Sequence, residues 1–309
     1  MRLLALVFCG LLTLAQGALA AVRPFDDIVA SGVLKVAVYE NFPPYSFQQD
    51  GQPRGVDVEL AQKLADSQGL KLELMWVAAG EKLDDDLRNF VWKGHYLRPG
   101  VLADVMLRVP YDRQYRLKRN DVGELVNEQV SMFGPYQRER WQVAYDSRRL
   151  KEVPSVAVFA YNTVGVEEDS VPSFYFNSVF GGRMRSNAKH YASPQQAFAG
   201  MRKGEVDAVM AMRGEVDWMV HEAGDPQLKE AENAYPEMGR QEWEIGMAVH
   251  ESNRQLAYAL EGGLEELIDS GELAAIYARY GLHYDVPEEY QGQAQAQAQA
   301  QVQIPTRGE

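Results

Sequence analysis

Cysteine is almost missing from this chain of 309 residues. The single cysteine, Cys9, lies within the first twenty residues, and the remainder of the sequence contains none. Beyond that segment the chain therefore has no means of forming a disulfide, a thiolate nucleophile or a thiolate metal site. Any binding or chemistry there must come from other side chains.

Positive charge is also scarce. The chain has 44 Asp and Glu residues against 31 Lys and Arg, which gives a net charge of −13 at pH 7. Nucleic acids select basic surfaces, so we expect no nucleic-acid partner. The balance fits a soluble exported protein and would favour a cationic partner or ligand.

Catalytic signatures are missing as well. The sequence contains no G-x-S-x-G turn, no P-loop and no G-x-G-x-x-G motif. Its five histidines are scattered, and none lies three or four residues from another. The acidic run at residues 84–86 is best explained as a helix start that favours the helix dipole. We therefore expect a protein that is not an enzyme, with no cofactor and no metal.

Long apolar runs are limited to the N-terminus. Arg2 is followed by an apolar stretch from Leu3 to Leu14, and Ala18-Leu19-Ala20 forms a small-x-small cleavage pattern. This order is typical of a secretory signal peptide cut after Ala20, which predicts a periplasmic protein with no membrane anchor. At the other end, residues 291–309 are rich in Gln and Ala, and we expect them to be disordered.

Between these ends, strand and helix patterns alternate. The run "VLKVAVY" predicts a strand, and an amphipathic pattern with Asp57 as its expected N-cap predicts a helix that ends at Gly69. The next elements are a strand in "LKLELMW", a helix closing near Gly94, and a strand from Ala103 to Val109. Such βαβαβ alternation predicts a mostly parallel sheet covered by helices.

The same pattern then recurs. The run "VPSVAVFAYNTVGVEE" predicts a strand, and it precedes a predicted helix with a capping box at residues 193–196. The run "VDAVMAM" predicts another apolar strand. The run "WEIGMAVHES" predicts a further strand, followed by two amphipathic helices. The sequence therefore predicts an α/β fold built from two units rather than one long sheet.

Three groups of residues are candidates for a ligand site. The loop "YENFPPYSF" carries four aromatic residues, which either line a cleft or pack beneath the loop: Tyr39, Phe42, Tyr45 and Phe47. Arg108 and Arg113 form the second group. Arg113 follows the strand that contains Arg108, and a guanidinium at a strand's carboxyl end either binds a carboxylate or forms an ion pair. Glu167 and Ser170 belong to an acidic turn after a strand, where α/β sheets place ligand loops. The alternative for this turn is simple solvation.

The order of these motifs resembles the bacterial extracellular solute-binding proteins of family 3. The resemblance rests on "LKVAVYENFPPYSFQQDGQPRGVDVELAQKLADSQGLKLELMW", "ADVMLRVPYDRQYR", "FGPYQRERWQVAY", "GEVDAVM" and the closing helices, roughly residues 33–282. It implies a two-lobed type II binding-protein fold with two mostly parallel sheets joined by two crossover segments. Lobe 1 would comprise residues 21–140 and 246–290, and lobe 2 residues 141–245.

The resemblance also implies roles for single residues. Arg113 matches the arginine that holds the ligand's α-carboxylate, and Tyr39, Phe42, Tyr45 and Phe47 match the aromatic wall. Two usual contacts of amino-acid receptors are missing. Pro110 replaces a threonine, and Met212 stands where an aspartate would hold the ligand's ammonium group.

The sequence thus predicts a non-catalytic periplasmic protein that captures a small polar ligand, with an ABC permease as the expected partner. In these departures the chain resembles a branch of the family that is associated with periplasmic quinoprotein (PQQ) alcohol dehydrogenases. The alternative function is therefore an accessory or maturation role for such an enzyme. A dehydratase of the cyclohexadienyl kind on the same fold is a third possibility.

Overall fold

The computed structural model describes residues 22–231 and 233–292. The predicted signal peptide and nearly all of the Gln/Ala-rich tail lie outside these residues. Within the described part of the chain, no helix combines the length and apolar character needed to cross a membrane.

Strands and helices alternate along the described chain. The strands are β1 (Val33–Tyr39), β2 (Phe47–Gln49), β3 (Gln52–Arg54), β4 (Lys71–Val77), β5 (Val105–Pro110), β6 (Val130–Asp146), β7 (Val164–Glu167), β8 (Ala188–Tyr191), β9 (Ala208–Met212), β10 (Leu228–Ala231) and β11 (Glu242–His250). The helices are α1 (Phe25–Ser31), α2 (Val56–Ser67), α3 (Leu83–Leu87), α4 (Arg113–Arg116), α5 (Val171–Gly182), α6 (Pro194–Arg202), α7 (Arg213–Ala223), α8 (Arg254–Asp269) and α9 (Glu272–Arg279).

Two groups of parallel strands form the centre of the fold. Strand β1 pairs in parallel with β4 and β5, and β7 pairs in parallel with β8 and β9. The long strand β6 joins the groups, because its first half pairs with β11 and its second half with β9 and β10, all antiparallel. The predicted α/β class is confirmed, and its two crossover segments are the strands β6 and β11. The expectation of two units rather than one long sheet was wrong in one respect, because these two strands join both groups into a single sheet of nine strands.

The buried apolar side chains separate in the same way. Two core clusters draw on residues 28–136 and 245–290, and two others draw on residues 143–238. We call these halves lobe 1 and lobe 2, and we propose the boundaries near residues 140 and 245 that the sequence indicated.

Several local predictions can be checked directly. The N-cap of the capping box predicted at the start of α6 is confirmed, since the Ser193 hydroxyl accepts a hydrogen bond from the Gln196 N–H at 3.2 Å. The expected N-cap of α2 was wrong. Gly55 occupies that position, and Asp57 lies inside the first turn, where it is fully buried.

Candidate functional site

Arg108 lies at a bulge in β5. Met106 pairs with Ala248 and Val109 with Gly246, so two residues of β5 stand opposite one residue of β11. Arg108 has a φ of 60°, a left-handed conformation that non-glycine residues seldom adopt. The side chain is only 5% exposed, so this bulge holds a guanidinium inside the protein.

The Arg108 guanidinium lies against the aromatic loop. Its central carbon is 3.4 Å from the centre of the Tyr45 ring and 5.6 Å from that of Phe42, a cation–π arrangement. Its Nη1 donates to Gln137 Oε1 at 3.1 Å and lies 3.4 Å from Asp57 Oδ1. Burial raises the pKa of the Asp57 carboxyl, although Arg108 and the Tyr136 hydroxyl act in the opposite direction.

The aromatic loop is anchored at several points. The Tyr45 side chain is fully buried, and its hydroxyl donates to Glu139 Oε2 at 2.6 Å. The Tyr39 hydroxyl donates to Asp86 at 2.8 Å, and its ring meets Phe42 edge-on. Gly55 has a φ of 119°, and a Cβ there would lie 2.2 Å from the Tyr45 carbonyl oxygen. The close approach of the loop to α2 therefore requires glycine.

The two lobes meet directly at this loop. A Cβ on Gly214 of α7 would lie 2.3 Å from the Tyr45 hydroxyl, so only a bare Cα allows the contact. The rings of Phe47 and Trp218 pack at 6.1 Å between lobe 1 and α7. The ion pair between Arg240 and Asp112, at 2.9 Å, also joins the lobes. The structure thus has a closed interlobe cleft.

Carboxylates from both lobes converge beside Arg108. Glu139 is 1% exposed and Glu215 is 4% exposed. Burial, with the nearby Glu167 and Glu139 charges, raises the pKa of Glu215 to about 8, and burial also raises the pKa of Glu167. A cavity of about 70 Å³ lies on the lobe 2 side, and Trp141, Glu167, Ser170, Met212 and Glu215 contribute to its lining.

The structure brings most of the predicted site residues into two groups. Tyr39, Phe42, Tyr45 and Arg108 lie together on lobe 1, and Glu167, Ser170 and Met212 lie together on lobe 2. Phe47 contributes to the contact between the lobes. Arg113 is placed elsewhere. It is exposed at the start of α4 and lines a separate cavity of about 230 Å³ with Tyr111, Asp112 and Arg116.

Sequence reasoning missed several members of the cluster. Gln137 and Glu139 lie on β6, and Glu215 lies in the first turn of α7, three residues after Met212. A signal was present in "MAMRGEVDW", where three charged residues follow an apolar strand at the end that usually carries ligand loops. Glu215 therefore supplies a carboxylate close to the position where the resemblance implied one was lost.

The fold and this closed cleft between two lobes define the class of two-lobed solute-binding proteins. Residues 34–283 match the model of the bacterial extracellular solute-binding proteins, family 3, and the chain belongs to that family.

A curated relative is the cyclohexadienyl dehydratase of Pseudomonas aeruginosa, which is 32% identical over 92 residues. The match covers 28% of this chain and 34% of the enzyme, so it spans only about a third of that protein's length.

Several solved structures share the fold. An ancestral cationic amino acid solute-binding protein is 16% identical with a TM-score of 0.63, covering 83% of this chain and 98% of that one. A polar amino acid substrate-binding protein from Streptococcus thermophilus is 15% identical with a TM-score of 0.62, covering 88% and 94%. An L-arginine-bound protein from Streptococcus pneumoniae is 20% identical with a TM-score of 0.56, covering 82% and 97%.

Proposed function

We propose that this protein is a non-catalytic periplasmic binding protein that closes its lobes around a small cationic solute. One observation carries the proposal: Glu139 of lobe 1 and Glu215 of lobe 2 both lie near Tyr45, and Glu167 lies near Glu215. Arg108 already pairs with Asp57 and is not free to neutralise the carboxylates of the cleft. The raised pKa of Glu215 means that a bound cation would also favour release of its proton. An amino or guanidinium group would supply the positive charge that these buried carboxylates lack.

The cleft must open for such a solute to enter. The cavity of about 70 Å³ is too small for an amino acid, and the Arg108 guanidinium covers the face of Tyr45 in this closed state. Hinge movement about the β6 and β11 crossovers is the motion that this fold permits. We propose an ABC permease as the partner that receives the solute, as the family implies.

A thermal-shift panel tests the class of ligand. Arginine, lysine, histidine and polyamines should raise the melting temperature, whereas glutamate and other anions should not. A solute at a hundred to a thousand times its dissociation constant stabilises the folded state by about 3–4 kcal/mol, which is readily measured.

A matched pair of variants on α7 sharpens this test. Glu215→Gln removes a carboxylate of the cleft, and we expect it to weaken binding of the cation at least about tenfold, as loss of a charged hydrogen bond does. Glu222→Gln, on the exposed face of the same helix, should leave binding unchanged. Stabilisation by anions alone, or equal binding by both variants, would contradict the proposal.

A dehydratase activity is the second candidate, favoured by the 32% identity over 92 residues. Incubation with a cyclohexadienyl carboxylic acid, followed by absorbance of an aromatic product, tests it. The accessory role for a quinoprotein dehydrogenase stays a prediction. Co-purification of such an enzyme with this chain would support that role.

A further inference from the structure

A second group of polar residues lies where the segment after α9 crosses lobe 2. Asp217 of α7, Glu230 of β10 and His283 each offer one ligand atom, and these atoms all lie within 4.8 Å of one another. Asp217 is 2% exposed, whereas the His283 side chain is 70% exposed. The His283 Nδ1 lies 3.4 Å from Asp217 Oδ2, and the His283 backbone N–H donates to the same oxygen at 2.9 Å.

A buried amide points into this group. Gln142 of β6 is 3% exposed, and its Nε2 donates to Glu230 Oε2 at 3.0 Å and to Asp217 Oδ1 at 3.3 Å. Its Oε1 is fully buried and has no hydrogen-bond partner among the described residues. Rotation of the amide by half a turn would direct Oε1 toward the two carboxylates. That orientation is favourable only with a cation between them.

We propose that Asp217, Glu230, His283 and the Gln142 Oε1 form a binding site for a divalent transition metal such as Zn²⁺. One imidazole, two carboxylates and one amide oxygen are nitrogen and oxygen ligands of the kind that zinc accepts. The two carboxylates would balance the charge of the ion. The exposed imidazole gives the ion a route from solvent to the buried carboxylate.

The site would link the lobes. His283 follows α9, whose side chains belong to the core of lobe 1, while the other three ligands belong to lobe 2. The nearby ion pair between Arg213 and Asp285, at 2.6 Å, already holds this segment on α7. A bound metal would add a second attachment at the same crossing and would favour the closed arrangement. This role is independent of the ligand in the cleft.

Isothermal titration of the tag-free, EDTA-treated full chain with ZnCl₂ tests the site. We expect one zinc ion to bind per chain at this site and the melting temperature to rise. MgCl₂ should bind much more weakly, since Mg²⁺ prefers all-oxygen octahedral sites. His283→Gln should lower zinc affinity at least about tenfold. Even replacing a residue that only hydrogen-bonds to a metal ligand typically has an effect of this size. His190 is an exposed histidine of β8, and His190→Gln is the matched control. This variant should bind zinc with the affinity of the unaltered chain.

Glu230→Gln provides a second variant that leaves the hydrogen bond between Asp217 and the His283 backbone in place. It should also weaken zinc binding at least about tenfold. Absence of zinc binding would overturn the proposal, as would binding that neither His283→Gln nor Glu230→Gln weakens. Because the His283 side chain is mostly exposed, its replacement leaves the core untouched and decides the question even if Glu230→Gln is poorly folded.

Discussion

At the scale of single residues, the pair formed by Arg108 and Asp57 should dominate local stability. Both side chains are buried, and the guanidinium is the cation that faces the Asp57 carboxylate. We expect Arg108→Met to lower the free energy of unfolding by about 3–5 kcal/mol, because it leaves a buried carboxylate without its partner. Urea denaturation followed by circular dichroism measures the loss.

Two further variants control for general effects of removing a charge. Adding Asp57→Asn to Arg108→Met should recover part of the loss, since the uncompensated charge is then gone. Arg88→Met, which breaks an exposed pair with Asp85, should cost less than about 1 kcal/mol. If Arg108→Met lowers the free energy of unfolding no more than Arg88→Met does, the buried pair of Arg108 and Asp57 does not stabilise the fold as we expect.

The sequence singled out the aromatic loop together with Arg108 and Arg113, and the structure places Arg108 rather than Arg113 against that loop. Tyr45 and Phe42 could be recognised because aromatic residues are unusual in a loop with two prolines. Arg113 follows its strand in the expected position, yet Arg108 is the arginine held inside. The reason is the bulge opposite Met247, which redirects one side chain and leaves no mark on hydrophobic periodicity.

At the scale of elements, Asp207 connects the start of β7 with the start of β9. Its carboxylate accepts from the Thr163 backbone N–H and hydroxyl, both at 2.8 Å, and pairs with Arg149 at 2.9 Å. Burial alone would raise the pKa of Asp207, but these bonds outweigh it and lower the pKa. A lowered pKa means that this stabilisation is complete above the usual aspartate pKa and is lost as pH falls through the folded-state value.

We therefore expect Asp207→Asn to destabilise the protein by about 1–3 kcal/mol at pH 7 and by less at pH 3, where part of this contribution is lost. Denaturation curves at the two pH values give the comparison. The exposed Asp121→Asn should change stability by less than about 0.5 kcal/mol at either pH. A loss for Asp207→Asn that does not shrink in acid would show that the carboxylate charge is not what stabilises this junction.

Most elements could be predicted because their signals are local. The Ser193 N-cap of α6 and the leucine spacing of α8 depend on residues within a few turns of each other. The length of β6 could not be predicted in this way. Its seventeen residues are held by different partners at its two ends, β11 first and then β9 and β10, and such distant pairing is not encoded in the strand's own pattern.

At the scale of the whole molecule, closure depends on the absence of a side chain at Gly214. The Tyr45 hydroxyl occupies the space that a Cβ would take, and Tyr45 has little freedom to move because it is buried and bonded to Glu139. A methyl group at this position should clash with the Tyr45 hydroxyl and push α7 away from lobe 1. Since each lobe has its own core, this clash should separate the lobes without unfolding either of them.

Gly214→Ala should therefore shift the protein toward an open state. Small-angle scattering should report a radius of gyration larger by on the order of 1 Å than that of the unaltered chain, and a cationic solute should stabilise the variant less. Gly239→Ala is the matched control, because a Cβ there meets nothing within 4 Å and should change neither quantity. An unchanged radius together with unchanged ligand stabilisation in Gly214→Ala would mean that Tyr45 yields to the methyl group. The contact between Tyr45 and Gly214 would then not control closure.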